Sequence, residues 1–447
     1  MLFHEFLHDL RWSDLPAPVQ DQARRCLLDL IGVGAGGAST QASRIIRDHT
    51  FDTYGGTLPM IFDGRGASAS GVALAAGMTI DSLDGHDGFN PAKGHIGCPV
   101  VSALLPVALR AGASGIEFMA ALVAGYEFGA RAAIVQHATV PDYHTSGSWG
   151  AVAGAAVCAR ILGLNRDQTR HALGIAEYHG PRSQMMRCID YPTMVKDGSG
   201  WGAMCAVQAA DLARRGFTGA PAITVEDLSR DMADVWADLG QRWYIPEQYF
   251  KPYPVCRWAQ APVEGVLALR RAHALYPRDV ARIEVETFRE SVRLATSRPD
   301  ATDAAQYSTS FPCAVAMVRG AVTAADIGDD ALNDPEILRL SESMIMREDA
   351  EANRVFPHTR LARVTLALTD GRHLTGDWLE PRWDHTDPPT TAELRAKYDD
   401  LARPALGQGR ADTLADVVGT LTDRPLSDLT DQLAAPISAA TTDGSAA

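Results

Sequence analysis

Apolar segments rich in alanine and glycine recur through the first half of the chain and constrain its fold more than any other feature. They cover residues 70–83, 118–134, 150–162 and 202–215. Small side chains let two helices approach closely, because the distance between helix axes depends on the side chains at the contact. The sequence therefore predicts a set of buried, tightly packed helices in this half.

Helix boundaries are marked at several places. Capping residues and an early proline at positions 13–16 begin a helix, which we expect to end at the glycines at 34, 36 and 37. Ser114–Glu117 and Thr390–Glu393 have the form of capping boxes, in which the glutamate side chain reaches back to the backbone of the first residue. The second box opens a helical pattern that continues to about Leu433.

The hydrophobic pattern changes after about residue 265. Residues 282–287 and 363–368 alternate with period two, which is typical of half-buried strands. Asp370-Gly371 then forms a turn before residues 373–375, so that the second segment is predicted to be a hairpin.

The length and the two patterns together predict two domains. A chain of 447 residues is too long for one ordinary core. We expect a mainly α protein with a smaller α+β domain. Residues 1–262 plus 391–447 are predicted to form the helical domain, and residues 263–390 the α+β domain.

Charge and cysteine content exclude some classes of protein. The formal net charge of −14 gives no general attraction for nucleic acid, which needs basic patches. An anionic substrate would need a local cluster of Lys, Arg or His in its pocket. The seven cysteines are scattered and include no C-x-x-C pair, so they predict neither a zinc site nor an iron–sulfur cluster. Reduced thiols fit the cytoplasm.

Two features argue against export and membrane insertion. The first residues lack a basic segment followed by an apolar run, so we expect no signal peptide. The most apolar stretch, Cys98–Leu109, is too short to span a bilayer, and we expect no membrane association.

The segment from Leu83 to His95 carries the densest group of reactive side chains. Asp84, His86, Asp87, Lys93 and His95 fall within it, among glycines and a proline that make it a loop. Functional groups concentrate on loops that a rigid scaffold holds. The alternative interpretation is polar turn chemistry without a functional role.

A second segment, Asp142–Ser148, precedes a helix of small residues. A histidine at a helix N-terminus, such as His144, has its cationic form disfavoured by the helix dipole, which suits a neutral base. The hydroxyl of Ser146 and the nearby free amides could hold a substrate carboxylate. Alternatively, Ser146 or Ser148 is only a helix cap.

Two further segments supply cations. Lys196 stands near glycines ahead of a buried helix and is a candidate anion binder; alternatively, it is a solvated lysine paired with Asp197. Two prolines keep residues 250–258 extended and bring Lys251 and Arg257 close together. The planar guanidinium of Arg257 suits a carboxylate. Equally, this segment could be a strap between domains.

These segments, taken with others in the same order, resemble the MmgE/PrpD family along nearly the whole chain. Each match is weak alone, but their joint order and spacing are specific. The matching stretches are Leu83-Asp84 with Gly94–Val100, Gly112–Glu127, Tyr143–Gly147, Gly216–Pro221, Lys251–Pro254 and Tyr307–Pro312.

The resemblance implies a largely helical domain built from both chain ends, a smaller α+β domain, and a homodimer with its site between the domains. It also implies that the reaction needs no metal or organic cofactor. Family members dehydrate 2-methylcitrate, decarboxylate cis-aconitate or epimerise an amino dicarboxylate. Carried over by position, the acid of the family falls on Asp84, its two histidines on His95 and His144, and its lysine on Lys196.

Three departures from the family pattern concern substrate contacts. Ser199 stands where a histidine often follows the lysine, and Gln260 is predicted to occupy a second histidine position. The loop before His95 is one residue longer, contains Lys93, and has Gly88 near a usual threonine or serine. An acid different from, or smaller than, a tricarboxylate is therefore compatible with the sequence.

The reactions of the family share a carbanion or enolate next to a carboxylate. We assign His144 or His95 as the base and the other as the acid, with Asp84 orienting His95 and Lys196 pairing with the substrate carboxylate. The leading hypothesis is a cofactor-independent dehydratase or decarboxylase of a small di- or tricarboxylate. An epimerase or racemase with the same site and a non-catalytic relative are the alternatives. The predicted substrate-binding residues are His86, Lys93, Ser146, Lys251, Arg257 and Gln260.

Overall fold

Helices form most of the structure, a computed structural model that describes residues 3–226 and 232–437. This confirms the predicted mainly α fold, and both predicted capping boxes are present. The helices are α1 (Phe3–Asp9), α2 (Ala17–Gly37), α3 (Gln41–Thr53), α4 (Ala69–Asp81), α5 (Gly97–Ala111), α6 (Gly115–Thr139), α7 (Gly147–Ile161), α8 (Arg166–His179), α9 (Met185–Asp190), α10 (Ser199–Arg214), α11 (Ile223–Glu226), α12 (Ala233–Ala237), α13 (Arg257–Ala272), α14 (Arg289–Val292), α15 (Thr302–Gln306), α16 (Ser310–Arg319), α17 (Pro335–Glu342), α18 (Ala350–Val355), α19 (Thr391–Leu406), α20 (Gln408–Thr420) and α21 (Ser427–Ala434).

The strands are short, and they form one four-stranded sheet and two pairs. They are β1 (Leu58–Pro59), β2 (Gly66–Ala67), β3 (Gly88–Phe89), β4 (Gln248–Tyr249), β5 (Val280–Thr287), β6 (Ile345–Glu348), β7 (Ala362–Leu368) and β8 (His373–Thr375). The larger sheet has the order β6-β5-β7-β8, with β5 and β6 parallel and the other pairs antiparallel.

The sheet confirms the predicted strand and the predicted hairpin. Strand β5 contains the predicted segment 282–287, and β7 and β8 are joined by a turn in which Gly371 has φ +90°. Strand β6 was not predicted, because this edge strand is half-buried to exposed and lacks an alternating pattern.

Helix α2 passes through Gly34 and Gly36 and ends at Gly37, the last of the three glycines that were predicted to end it. Packing against α4 accounts for the glycine at this end. A Cβ atom on Gly37 would lie 2.3 Å from the carbonyl oxygen of Thr79 in α4. Glycine is therefore required here for the close approach of the two helices.

Helices α4 and α10 make a second close contact of this kind, which positions the candidate site. A Cβ atom on Gly77 would lie 2.5 Å from the Cα atom of Gly200. The contact brings the end of α4 beside the loop before α10. There the backbone amide of Asp197 donates a hydrogen bond to Asp81 Oδ2 at 3.3 Å.

The two largest hydrophobic cores are built from different parts of the chain. The larger core combines buried residues between positions 6 and 250 with others between positions 383 and 433, so the chain returns to it at its C-terminal end. The second core lies between positions 255 and 368 and includes the sheet. The predicted domain boundaries stay a prediction, and residues 438–447, assigned to the helical domain, lie outside the described residues.

Helix α6 is the one described helix that is long and apolar enough to cross a membrane. Within the protein, 94% of its most apolar window is buried. Packing against the neighbouring helices therefore accounts for its apolar character, as in the core helix of a globular protein.

Candidate active site

Five of the predicted site residues line one cavity. About 350 Å³ of empty space lies there, including the part open to solvent. The predicted site residues that line it are Asp84, Lys93, His95, Lys251 and Arg257.

His95 stands between two carboxylates, just before the N-terminus of α5. Its Nδ1 lies 3.1 Å from Asp197 Oδ2, and its Nε2 lies 3.8 Å from Asp84 Oδ1. The sequence analysis assigned the orientation of this ring to Asp84 alone. The structure places Asp197 closer, so the two carboxylates flank the imidazole from opposite sides.

His86 packs behind His95, with the ring centroids 4.3 Å apart in a T-shaped arrangement. Burial lowers the pKa of His95 well below its usual range, and the charges of His86 and Lys251 lower it further. Burial also disfavours the protonated form of His86. Its hydrogen bond to Asp81 and the charge of Asp81 outweigh burial and raise its pKa. His95 is therefore a neutral imidazole, while the predicted contact of His86 with substrate stays a prediction.

Lys251 carries a positive charge at the cavity wall. Its Nζ donates to Asp84 Oδ1 at 2.8 Å and to the backbone oxygen of Asp84 at 2.6 Å. Burial opposes the charge, but the carboxylate of Asp84 outweighs it and raises the pKa of Lys251. The ion pair brings the 83–95 loop against the extended segment before α13.

Asp197 is a central residue that the sequence analysis considered only as a partner of Lys196. It accepts hydrogen bonds from the backbone amide and the hydroxyl of Ser146. Ser146 Oγ in turn accepts from the backbone amide of His95 at 2.8 Å. The Ser146 side chain, predicted to bind substrate, is thus fully buried and bonded within the protein. Burial and the charge of Asp81 raise the pKa of Asp197.

Lys196 is buried and does not pair with Asp197. Its Nζ lies 2.8 Å from Asp303 Oδ1 and 2.5 Å from Gln306 Oε1, and it lies 5.3 Å from the ring centroid of Tyr307, which lines the cavity. Lys196 itself lies beside that wall. Its predicted contact with a substrate carboxylate stays a prediction.

His144 and Gln260 also lie outside the set of cavity-lining residues. His144 is 7% exposed, and the 2.8 Å contact of its Nδ1 with the backbone oxygen of Asp142 favours a tautomer with Nδ1 protonated. Gln260 bonds to backbone atoms of Tyr253 and Val255 and is fully buried. Its role in the structure is to hold the segment that carries Lys251.

Three of the six described non-glycine residues with a positive φ lie at the site. Asp84, Lys93 and Lys196 have φ values of +47°, +53° and +50°. Residues other than glycine rarely adopt this left-handed backbone conformation, which costs about 1–3 kcal/mol for each residue. The surrounding packing must therefore hold these three residues in place, as is typical of functional sites.

Two family models match the chain. The model of the MmgE/PrpD N-terminal domain covers residues 2–230, and that of the MmgE/PrpD C-terminal domain covers residues 253–423. The chain belongs to the MmgE/PrpD family. The family predicted from the sequence motifs is therefore confirmed.

Members of the MmgE/PrpD family with two different names are similar to this chain. The cis-aconitate decarboxylase of Aspergillus terreus (strain NIH 2624 / FGSC A1156) is 25% identical over 467 residues, covering 94% of this chain and 92% of that protein. The human cis-aconitate decarboxylase is 24% identical over 450 residues, covering 94% and 91%. The 2-methylcitrate dehydratase of Cupriavidus necator is 27% identical over 242 residues, covering 49% and 48%.

Lysine usage provides a signal that the sequence analysis did not use. Among 41 basic residues the chain has only four lysines, at positions 93, 196, 251 and 397. Lys93 is half-buried at the cavity wall, and the other three lysines are buried. All four lie at or beside the site, because two line the cavity, one lies beside the cavity-lining Tyr307 and one bonds to the loop that carries Asp84. In this MmgE/PrpD protein, the rarity of lysine therefore marks the site.

Lys397 is the lysine that the sequence analysis missed. It reaches from α19 to Asp29 Oδ1 at 2.5 Å and to the backbone oxygen of Gly85 at 2.6 Å. The C-terminal helices thereby hold the loop that carries Asp84. Residue spacing alone gives no sign of this contact, because it joins positions 312 and 368 residues apart in the chain.

Among the described residues, one group of side chains has the geometry to hold a metal ion. Asp81, His86 and His95 each offer a ligand atom, and these atoms lie within 4.8 Å of one another. An imidazole binds a metal through a nitrogen without a proton, but both nitrogens of His86 contact acceptors, Asp81 Oδ1 and the backbone oxygen of Asp87. The expectation that the protein uses no metal stays a prediction.

Asp87 provides a prediction on the pH dependence of stability. Burial and the charge of Asp29 raise its pKa from 3.8 to about 7, although it accepts a 2.8 Å hydrogen bond from Tyr126. Between these values the folded state binds one proton more than the unfolded state, so stability falls as pH rises. From pH 5 to pH 6, we expect wild-type stability to fall relative to Asp87→Asn by about 1.4 kcal/mol.

Urea unfolding of both proteins at pH 5 and pH 6 measures this difference. Asparagine keeps an acceptor for the Tyr126 hydroxyl, so the variant should fold. Asp300→Asn, at an exposed aspartate, is the control and should follow the wild type at both pH values. Parallel pH dependence in the wild type and Asp87→Asn would show that Asp87 does not hold the extra proton.

Proposed function

We propose that this protein is a lyase that acts on a small tricarboxylate through a carbanion or enolate next to a carboxylate, formed by removal of a proton in a dehydration or by loss of carbon dioxide in a decarboxylation. One observation supports the proposal most directly. The imidazole of His95 stands between two carboxylates in a cavity whose other charged lining residues are cations. The similar proteins named cis-aconitate decarboxylase and 2-methylcitrate dehydratase support a tricarboxylate as the substrate class.

His95 is the proposed base. The proximity of Asp197 favours the proton on Nδ1, which leaves Nε2 as the atom that accepts a proton from substrate. In the free protein, the lowered pKa of His95 keeps Nε2 unprotonated. A bound anion would raise the pKa again, because an opposite charge nearby favours the imidazolium. Substrate binding would thus make His95 a stronger base.

Cations stabilise the negative charge that develops on the substrate. Lys251 lies at the cavity wall beside Asp84, and its ammonium is oriented by that carboxylate before substrate binds. Preorganised charge of this kind stabilises a developing enolate without reorganisation during the reaction. His144, the other histidine of the predicted pair, does not line the cavity, so its role as the acid stays a prediction. Cofactor independence likewise stays a prediction.

Turnover in deuterated buffer tests the proposal. We expect cis-aconitate or 2-methylcitrate to be consumed, with release of carbon dioxide or of water, as measured by proton NMR and by detection of carbon dioxide. Deuterium uptake into recovered substrate without net product would indicate an epimerase instead. An absence of both deuterium uptake and product across hydroxy, unsaturated and amino di- and tricarboxylates would show a non-catalytic protein.

The homodimer and the cytoplasmic location implied by the sequence also stay proposals. Light scattering coupled to size-exclusion chromatography distinguishes a mass near 48 kDa from twice that mass, since one chain has a mass of 47.9 kDa.

A further inference from the structure

We propose that Lys93 and Arg360 form a second anion subsite, which binds a substrate carboxylate remote from the carbon that loses its proton. Arg360 precedes β7 in the smaller core, whereas Lys93 lies on the loop before α5. Both line the same cavity as His95. The identity of the anion as a carboxylate rests on the proposed function; the subsite itself rests on the pairing of charges.

The cations of the cavity wall divide into two kinds. Lys251 pairs with Asp84 and Arg257 pairs with Asp384, at 2.8 Å and 2.9 Å. Lys93 and Arg360 have no carboxylate within ion-pair distance among residues 3–226 and 232–437. Two unpaired cations that face one cavity are therefore available to a bound anion.

Arg360 is positioned by the protein but incompletely bonded. Only 5% of it is exposed, and its Nη1 donates to Asn90 Oδ1 at 2.6 Å and to the backbone oxygen of Pro357 at 3.2 Å. Its Nε is buried and has no hydrogen-bond partner in the described part of the chain. A buried donor without a partner is costly, and a carboxylate at this place would remove that cost.

Lys93 is held in a strained conformation beside Arg360. The hydroxyl of Tyr143 donates to its backbone oxygen, and the ammonium lies 5.2 Å from the centroid of the Tyr143 ring. Burial lowers the pKa of Lys93, and the charge of Arg360 lowers it further, whereas the charge of Glu290 raises it to a smaller extent. The mutual repulsion of the two cations is relieved when an anion lies between them.

The substrate would then have at least two carboxylates. One lies beside His95 and Lys251, where the proton is removed, and the other binds at Lys93 and Arg360. Because Arg360 and Lys93 come from different parts of the chain, the second carboxylate also links the sheet-containing part to the loop that carries His95. Removing either cation should therefore weaken binding of polycarboxylates.

Calorimetric titration with tricarballylate, a saturated and unreactive tricarboxylate, tests the subsite directly. We expect Arg360→Gln and Lys93→Met each to weaken binding on the order of tenfold to a hundredfold, the range for a hydrogen bond to a charged group. Arg360→Lys should retain part of the affinity. The matched control is Arg363→Gln, which removes a nearby arginine that pairs with Glu286. It should bind like the wild type.

Chemical labelling supplies a second readout that does not depend on a substituted residue. Trinitrobenzenesulfonate reacts with uncharged, accessible amines, so Lys93 should be modified before the three buried lysines, each of which is paired with an aspartate. Tricarballylate should slow labelling of Lys93, as measured by mass spectrometry of the peptides.

Unchanged affinity in both variants, or no protection of Lys93, would overturn the proposal. Thermal unfolding of each variant shows whether a loss of affinity reflects misfolding. If a variant is misfolded, the affinity of Arg360→Lys and the protection of Lys93 in the wild type test the subsite instead. The proposed function can fail separately. If tricarballylate protects Lys93 while no tricarboxylate exchanges or reacts, the subsite stands and the lyase assignment is wrong.

Discussion

The His95→Gln variant is expected to lose turnover by about a thousandfold at saturating substrate. A positioned acid or base typically contributes a factor of about 10²–10⁴ to the rate, and glutamine cannot accept the proton. Glutamine has a similar size and keeps the backbone amide that donates to Ser146 Oγ. The change should therefore reduce kcat while leaving tricarballylate affinity within a few fold of the wild type. Steady-state kinetics measure this loss of kcat, with the substrate that the turnover experiment in deuterated buffer identifies.

Two further variants make the assignment of the base specific. His171→Gln changes a part-buried histidine whose ring bonds to Gly219, and it should keep wild-type turnover. His144→Gln distinguishes the two histidines of the predicted pair. If His95→Gln still exchanges substrate hydrogen for deuterium at the wild-type rate and His144→Gln does not, the base is His144.

The Lys397→Met variant is expected to lose about 3–5 kcal/mol of stability, the usual cost of removing one partner of a buried ion pair. Lys397 is 8% exposed and its partner Asp29 is 2% exposed. Methionine fills a similar volume but leaves the carboxylate of Asp29 buried without its cation. It also leaves the backbone oxygen of Gly85 without its donor. Urea unfolding at pH 7 measures the loss.

A double variant separates the two consequences of this substitution. Asp29→Asn combined with Lys397→Met removes both charges, so it should recover part of the stability that Lys397→Met loses. Both variants lack the hydrogen bond from residue 397 to the backbone oxygen of Gly85, which holds the loop that carries Asp84. We therefore expect low turnover in both variants. Equal stability of Lys397→Met and the wild type would mean that the pair makes no net contribution to folding.

The local parts of the fold could be predicted from the sequence, because they depend on neighbouring residues. The capping boxes at Ser114 and Thr390 and the hairpin around Gly371 each need only a few positions in a fixed pattern. The end of α2 at Gly37 could be predicted in the same way, but the packing role of this glycine could not. The close contact that Gly37 permits involves Thr79, which lies on another helix.

The same distinction applies to the candidate site. The segments that carry Asp84, His95 and Lys251 could be found, because reactive groups are dense there or match family motifs. The structure adds Asp197 and Arg360, whose roles depend on contacts with His95 and Asn90 across the fold. A sequence pattern shows which groups are present, but it does not show which of them keep unpaired hydrogen-bond donors inside a cavity.

The contact of Lys397 with Gly85 has a consequence for how the protein matures in the cell. A ribosome makes the loop that carries His95 early and adds residue 397 only after most of the chain is complete. Until α19 docks, the carboxylate of Asp29 lacks its cation and Gly85 lacks its donor. A nascent chain therefore carries the proposed base in a loop that still lacks one of its anchoring contacts, and we expect the site to be complete only after the final helices have docked.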